Sequence, residues 1–538
     1  MFGIFTVRTL FNTTTMNRSK QLERLKTTPH WDIIIIGGGA SGLGTAVDAA
    51  SRGYKTVLVE AFDFAKGTSS RSTKLAHGGV RYLAQGDFFL VIEALRERGL
   101  MLKNANHLVK NQSFVIPIYK RWMGYFYATG LTLYDLLAGN RSLGQSKLIS
   151  KKKTIELLPT IEKNGLKNGV LYHDGQFDDA RFAINLAQTA AEMGACVLNY
   201  TKVIHLLKNT LNQVTGVAII DQETLEKHSI HGKIIINATG VFTNTIMKFN
   251  DLVYKKYVVP SQGIHLVLDA SFLPGQTALM IPKTTDGRVL FVVPWHNKII
   301  VGTTDTLIEK ESIEPIALES EIDFVLNNAQ FYLEKKPTRA DILSVFAGLR
   351  PLSAPDNNGQ NTKEISRSHK ILLSDTGLIT ITGGKWTTYR KIAQDAIDTA
   401  IKTHKIDKKN CVTQNLSIHG NQPTNDCDRE NHLYIYGSDL PALLKLQENE
   451  PELKEKLHPD YDFSLAEVVW AIRYEMARTI DDVLARRTRL LFLDAKAALE
   501  CSEKVGRLLA EELNYNEDWV VNEIKSFNNI MLTYQIKL

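Results

Sequence analysis

One stretch near the N-terminal end constrains this chain more than any other. Asp32 to Ile36 is an apolar, β-branched run and reads as a strand. Gly37, Gly39 and Gly42 follow in the spacing G-x-G-x-x-G, Ala46 to Ala50 supplies helix formers, and Thr56 to Val59 reads as a second strand ending at Glu60. Strand, tight glycine turn, helix and strand make the βαβ unit that opens a doubly wound fold. A Cβ at Gly37 or Gly39 would hold a phosphate away from the backbone. The helix N-terminus beyond, with Ser41 in its first turn, offers free N–H groups and the positive end of a dipole. Gly42 lets that helix approach the strand. Glu60 is placed to accept bonds from ribose hydroxyls, and its charge repels a 2′-phosphate, which disfavours NADP.

The rest of the chain limits what surrounds this unit. At 538 residues, two or three packed units are expected. A hydrophobic share of 44% and a charged share of 23% are those of an ordinary globular protein. The net charge of +6 suits an anionic substrate, a phosphate-rich cofactor or an anionic membrane surface, and is too weak to argue for nucleic acid. Cys196, Cys411, Cys427 and Cys501 form no C-x-x-C pair and no metal-ligand spacing, so no metal site is expected and a reducing compartment is the simplest reading. No apolar run approaches the roughly 18 residues of a spanning helix. Residues 1–15 read as the start of a targeting peptide or as a tail upstream of a functional start at Met16.

Strands and helices alternate through the middle of the chain. Ala180 to Met193 reads as a helix. Cys196 to Tyr200, Val214 to Ile220 and Ser229 to Asn237 read as strands. From Ser261 to Asp305 the pattern is mostly β, with a hairpin of Val289 to Pro294 and Ile299 to Thr303, and is expected to build a second sheet. Leu378 to Thr382 returns as a strand that runs into Gly383-Gly384 and a helix from Thr387 onward. Helix formers dominate from Asp462 to Leu493 and from Lys496 to Leu513. The expected division is an N-terminal tail (1–30), a dinucleotide-binding domain with an interleaved second subdomain (31–410), and a helical C-terminal domain (411–538). The fold class is α/β: a Rossmann-like dinucleotide-binding domain, which the next two segments assign to FAD, with an inserted, mainly antiparallel β subdomain and an all-α C-terminal domain.

Two distant segments favour FAD over NAD. IIINATG (Ile234 to Gly240, with Ala238 at the strand end) and ITITGGKW (Ile379 to Trp386) are further strand-to-turn junctions. A long extended dinucleotide needs such remote contacts at its flavin end. In GIHLVL, Ile264, Leu266 and Leu268 share one face of a strand and His265 points to the other. An imidazole there is either a structural core histidine or a base for an alcohol proton.

Three longer runs carry a family resemblance. TSSRSTKLAHGGVRYL (Thr68 to Leu83), GLRPL (Gly348 to Leu352) and GGKWTTYRKIAQDAID (Gly383 to Asp398) resemble segments of FAD-dependent glycerol-3-phosphate dehydrogenases. MARTIDDVLARRTR (Met476 to Arg489) resembles the family's C-terminal segment. The resemblance runs from about Trp31 to about residue 515 and implies a fold similar to D-amino-acid oxidase-like flavoproteins.

The resemblance implies oxidation of sn-glycerol 3-phosphate to dihydroxyacetone phosphate, with FAD as hydride acceptor and a membrane quinone as final acceptor. Arg81, Arg350 and Lys385 lie in the matching runs as phosphate-binding cations, and Pro351 holds Arg350 extended. His265 is the candidate base, and Tyr82 a donor to substrate or a neighbour of the flavin. Thr68, Ser69, Ser70, Ser72, Lys74, His77, Gly78 and Gly79 are expected against the flavin and pyrophosphate. Gly240, Gly383, Gly384, Lys385, Thr387 and Thr388 complete the cofactor set. KRWMGYFY (Lys120 to Tyr127) reads as either a bilayer-interface segment or a buried aromatic helix. A peripheral protein on the cytoplasmic face of the cell membrane, or in the cytoplasm, is expected, with a homodimer possible. No helix-loop-helix calcium motif is present, which departs from the longer mitochondrial members and is more like bacterial forms. The rival readings are an oxygen-using glycerol-3-phosphate oxidase, another amine or amino-acid oxidase on the same scaffold, and a flavin-binding protein without turnover.

Overall fold

The computed structural model describes residues 16–79, 87–251, 256–354, 369–422, 429 and 431–536. At its centre the strand Trp31–Ile36 lies parallel between Thr56–Val59 and Lys227–Asn237. Ile379–Thr382 extends the parallel set on one side and Cys196–Leu198 on the other. Ile33, Ile34 and Ile35 are fully buried. Ile33 and Ile35 join the core beneath the helices Ala40–Ser51, Asp179–Glu192 and Tyr389–His404, while Ile34 and Ile36 join a second core on the opposite face. Burial on both faces explains why the run is apolar without alternation.

A second sheet, antiparallel but for one pair, stands against the first. Its long strands are Val109–Ile118, Asn168–Phe177, Val258–Asp269 and Ile342–Ser353. The expected hairpin is present as Leu290–Trp295 and Lys298–Gly302. Its turn residues His296 and Asn297 both take positive φ, as a two-residue turn between twisted strands requires. Ile264, Leu266 and Leu268 face a core shared with the helix Glu319–Tyr332, so the alternation in GIHLVL turns His265 the other way. His265 pairs with Gly302 on one neighbouring strand and Phe346 on the other.

The C-terminal region is helical: Leu465–Glu475, a wide turn at Asp482–Arg487, Leu490–Leu493, Ala495–Leu513 and Glu517–Met531. One short hairpin, Lys456–His458 with Tyr461–Ser464, stands where helix was expected from Asp462 onward. The region is not packed apart from the rest. Val267, Trp295, Ile300 and Phe346 of the second sheet share one apolar core with Leu484, Phe492 and Val505.

Two local features are settled. NRSKQLERLK, a polar helix start in the sequence, forms the helix Arg18–Thr27 capped by Asn17, and buried Arg18 pairs with Asp221 and Glu223. The aromatic run at Lys120 to Tyr127 opens the helix Arg121–Ala138, but Trp122, Tyr125 and Phe126 are 67, 67 and 64% exposed, which removes the buried-helix alternative. No helix among the described residues is long and apolar enough to cross a membrane.

Candidate active site

A cavity of about 650 Å³ runs along the C-terminal ends of the parallel strands. Its lining includes Glu60, Phe62 and Val203 after the second strand, Gly37, Gly39 and Ser41 of the glycine turn, and His265 and Arg350 of the second sheet. The glycine turn is tight. Gly37 has φ +110, and a Cβ on it would sit 2.7 Å from the Ala238 carbonyl oxygen. Gly42 packs against the Gly37 carbonyl and does not line the cavity, in keeping with a role in helix–strand approach. The helix Ala40–Ser51 begins at Gly39, which supplies no side-chain cap; Ala40 N–H goes to Ser69 Oγ, and the helix start at Ser41 borders the cavity as an anion-binding end.

Glu60 accepts from the N–H groups of Gly38 and Phe62. Burial raises its carboxyl pKa, and the two N–H bonds work against that rise. An uncapped helix start, a glycine cradle and a carboxylate at the end of the second strand fit the pyrophosphate and ribose of FAD. Ala238, Gly240, Gly383, Gly384, Lys385 and Thr387 line the same cavity. Thr388 does not; it is buried, and its hydroxyl caps the Lys385 carbonyl.

The run from Thr68 to Gly79 divides between two environments. Thr68, Ser69, Ser72, His77 and Gly79 line the cavity. The Ser69 hydroxyl accepts from Ala40 N–H at 2.9 Å and its carbonyl from the Trp386 indole at 2.8 Å, which ties this run to two cavity turns. Ser70 and Lys74 point away, contrary to expectation. The Lys74 ammonium is fully buried. It donates to Asp179 and the Ser70 carbonyl, both at 2.8 Å, and packs among Trp295, Phe346 and Phe492. Burial lowers its pKa to about 8 despite Asp179. A residue in positive φ (64°) sends its side chain back beneath the loop. Gly78 also turns inward, donating its N–H to the Tyr134 hydroxyl at 2.8 Å. Arg81 and Tyr82 lie outside the described residues.

His265 and Arg350 share one wall. The Arg350 guanidinium lies over Gly263, where a Cβ would collide with it, and Gly263 is two residues along the same strand face from His265. Arg350 donates to Thr303 Oγ1 at 3.1 Å and meets Asp305 at 3.5 Å. His265 is only 2% exposed. Its ring stacks on Phe346 with centroids 4.8 Å apart, and its Nε2 is 2.8 Å from Thr73 Oγ1. Its Nδ1 is buried and has no hydrogen-bond partner among the described residues. Burial, then the charges of Lys74 and Arg350, push its pKa well below the ordinary histidine value. These effects favour the neutral imidazole and make it a weaker base than a free histidine. Sequence reasoning passed over Thr73, Thr303 and Asp305. Thr73 was legible only as one more hydroxyl in a polar run, and the other two follow a hairpin with no motif of their own.

Residues 32–390 match the family described as FAD dependent oxidoreductase, and residues 374–519 the C-terminal domain of alpha-glycerophosphate oxidase. The mitochondrial glycerol-3-phosphate dehydrogenase of Mus musculus is 39% identical over 93% of this chain and 73% of its own length. That of Schizosaccharomyces pombe is 38% identical over 93% and 87%. The crystal structure of glycerol-3-phosphate dehydrogenase from Bacillus halodurans complexed with FAD is 28% identical, with a TM-score of 0.79, and covers 97% of this chain and 99% of that one.

Proposed function

Because the chain belongs to the family of FAD-dependent glycerol-3-phosphate dehydrogenases, we propose that it oxidises sn-glycerol 3-phosphate to dihydroxyacetone phosphate and delivers the electrons to a membrane quinone. The observation that carries the reading is the pairing of a cation and an imidazole on one wall, Arg350 and His265, in the same cavity that the glycine turn and Glu60 line. FAD bound there supplies the hydride acceptor. Glu60 and the glycine turn hold the ribose and pyrophosphate; Arg350 and Lys385 hold the substrate phosphate; His265 receives the proton of the secondary alcohol. A bound dianion also offsets the Arg350 charge that depresses His265, so substrate binding raises the basicity of the group that must act on it. Arg81 and Tyr82 belong to the same proposed set through the family motif.

Anaerobic mixing of the FAD-loaded protein with glycerol 3-phosphate tests this directly. The flavin absorbance should bleach, and amino acids should leave it unchanged; the reverse pattern would sink the reading. In air, little peroxide per turnover is expected, because an oxidase would return it stoichiometrically.

The membrane part of the reading is supported by the face that Trp122, Tyr125, Phe126 and Leu136 expose on one helix, beside Lys120 and Arg121. Such a surface suits the headgroup boundary. Replacing Trp122, Tyr125 and Phe126 by Ser should release the protein from anionic vesicles, and undiminished binding would remove that face from the interface. The location proposed is a peripheral one, on the cytoplasmic side of the cell membrane; the relatives at 38 and 39% identity carry mitochondrial names, so fractionation of the native cell decides the compartment.

A further inference from the structure

His265 is held more tightly than a base that must reach for its substrate. Its ring is stacked on Phe346 and pressed against Gly302, where a Cβ would collide with Cδ2. With a strand paired on each side and 2% of its surface exposed, the imidazole lines the cavity but is packed into its wall rather than projecting from it. Among the described residues, its one hydrogen bond joins Nε2 to Thr73 Oγ1 at 2.8 Å. Thr73 lines the same cavity and is the more accessible of the two, half-buried where the histidine is buried.

The backbone around Thr73 is fixed from both sides. Ser72 gives its N–H and its hydroxyl to Asp179 Oδ2, at 3.0 and 2.7 Å. Lys74 gives its ammonium to the same oxygen at 2.8 Å. One buried carboxylate therefore clamps the residues before and after Thr73 and aims the hydroxyl between them at Nε2. Asp179 is held in turn by Arg489 at 2.9 Å.

We propose that Thr73 is a catalytic residue that relays the alcohol proton from substrate to His265. The inference rests on the reading of the site as a glycerol-phosphate dehydrogenase. As the carbinol C–H bond breaks, its electron pair leaves with the hydride for the flavin acceptor. The substrate O–H bond breaks, and its proton forms a bond to Thr73 Oγ1. The proton already on Oγ1 passes to His265 Nε2, and the substrate oxygen becomes the carbonyl of the product. Thr73 ends as it began and His265 ends protonated, so charge and protons balance. The relay needs Nε2 as the acceptor, which places the neutral-ring proton on Nδ1.

Thr73→Val keeps the shape and removes the hydroxyl; Thr73→Ser keeps the hydroxyl. In anaerobic single turnovers of the FAD-loaded proteins with glycerol 3-phosphate, Thr73→Val should reduce its flavin at least about 100-fold more slowly than wild type, the usual scale of a lost proton-transfer path, and Thr73→Ser should restore most of the rate. Dihydroxyacetone phosphate, followed by its perturbation of the flavin spectrum, should bind all three proteins alike. In mixtures of light and heavy water, the wild-type rate should curve, as two protons moving together require, and the Thr73→Val rate should fall on a straight line. A wild-type rate in Thr73→Val, or a slow variant that serine fails to rescue, overturns the relay. A wild-type flavin that stays oxidised with this substrate brings down the functional reading itself, and the relay with it.

Discussion

Arg350 and Arg487 are the same residue used for opposite ends. Arg350 stands 27% exposed on the cavity wall and meets its carboxylate, Asp305, at 3.5 Å. Arg487 is fully buried behind the cofactor-binding loops. It spreads both terminal nitrogens over Asp63 and gives one of them also to the Glu475 carbonyl at 2.7 Å. Around it the pattern repeats: Arg486 meets Asp63 at 2.6 Å, and Arg181 forks onto Glu475. These are short, multiply bonded pairs sealed from water. They join the loop after Glu60 to the C-terminal helices, so the helical region braces the ribose end of the cavity. A charge that opens on a cavity can bind a ligand; one whose donors are taken up inside the fold holds the fold.

The sharpest way to break this distinction is at Asp63. Its carboxylate is shared by Arg486 and Arg487, both with essentially no exposed surface; Arg486 also meets Asp481 and Asp482, and Arg487 meets Glu475 only at 3.5 Å. Asp63→Ala would leave two buried cations short of a partner, at a cost of about 3–5 kcal/mol. The unfolding midpoint in urea should fall accordingly. An unchanged midpoint would mean that this ionic layer contributes nothing to holding the domains together.

Arg350 should behave in the opposite sense. Losing a charge-assisted phosphate contact worth about 1.5–3 kcal/mol predicts a KM for glycerol 3-phosphate raised roughly 10- to 150-fold in Arg350→Ala. Because the side chain is partly exposed, the urea midpoint should stay close to wild type. A wild-type KM with a lowered midpoint would put Arg350 in the same class as Arg487.

The contrast also marks where reading the chain stops. The βαβ unit, the second sheet and the hairpin at His296 follow from periodicity and turn chemistry, because burial on one or both faces leaves a local trace. His265 was separable from Ile264 and Leu266 for the same reason. Inside TSSRSTKL, however, Ser69, Ser72 and Thr73 face the cavity, whereas Ser70 and Lys74 face Arg489 and Phe492. The run is irregular, and the positive φ at Lys74 reverses the side chain without any glycine to announce it. The partner that decides the matter, Asp179, lies more than a hundred residues away and itself looked like an ordinary helix start. The helix after Met16 was legible as a polar helix start, but what fixes it, Arg18 on Asp221, is a contact no local pattern contains.

Glu314 sits between the two classes and gives the smallest expected effect. The segment after Leu307 meets the cavity lining at two places. On one bank Glu311 accepts from the Thr245 hydroxyl at 3.5 Å. On the other, the Ile313 carbonyl accepts from Arg71 at 2.9 Å, and the Glu314 carboxylate bridges Arg71 at 2.5 Å and Lys66 at 3.4 Å. Thr245, Ile313, Arg71 and Lys66 all line the cavity, so the segment is a strap whose far end is fastened by charge. Glu314→Gln keeps the shape of that fastening and removes its charge. Lys66 retains Asp481 at 2.5 Å and Arg71 retains the Ile313 carbonyl, so the strap should loosen rather than detach. A loss of about 1 kcal/mol corresponds to FAD leaving roughly fivefold faster, read as recovery of flavin fluorescence after dilution, with the urea midpoint of the apoprotein unchanged. If FAD leaves no faster while the apoprotein weakens, Glu314 belongs with Asp63 and the ions of the interior, and the cavity has no strap.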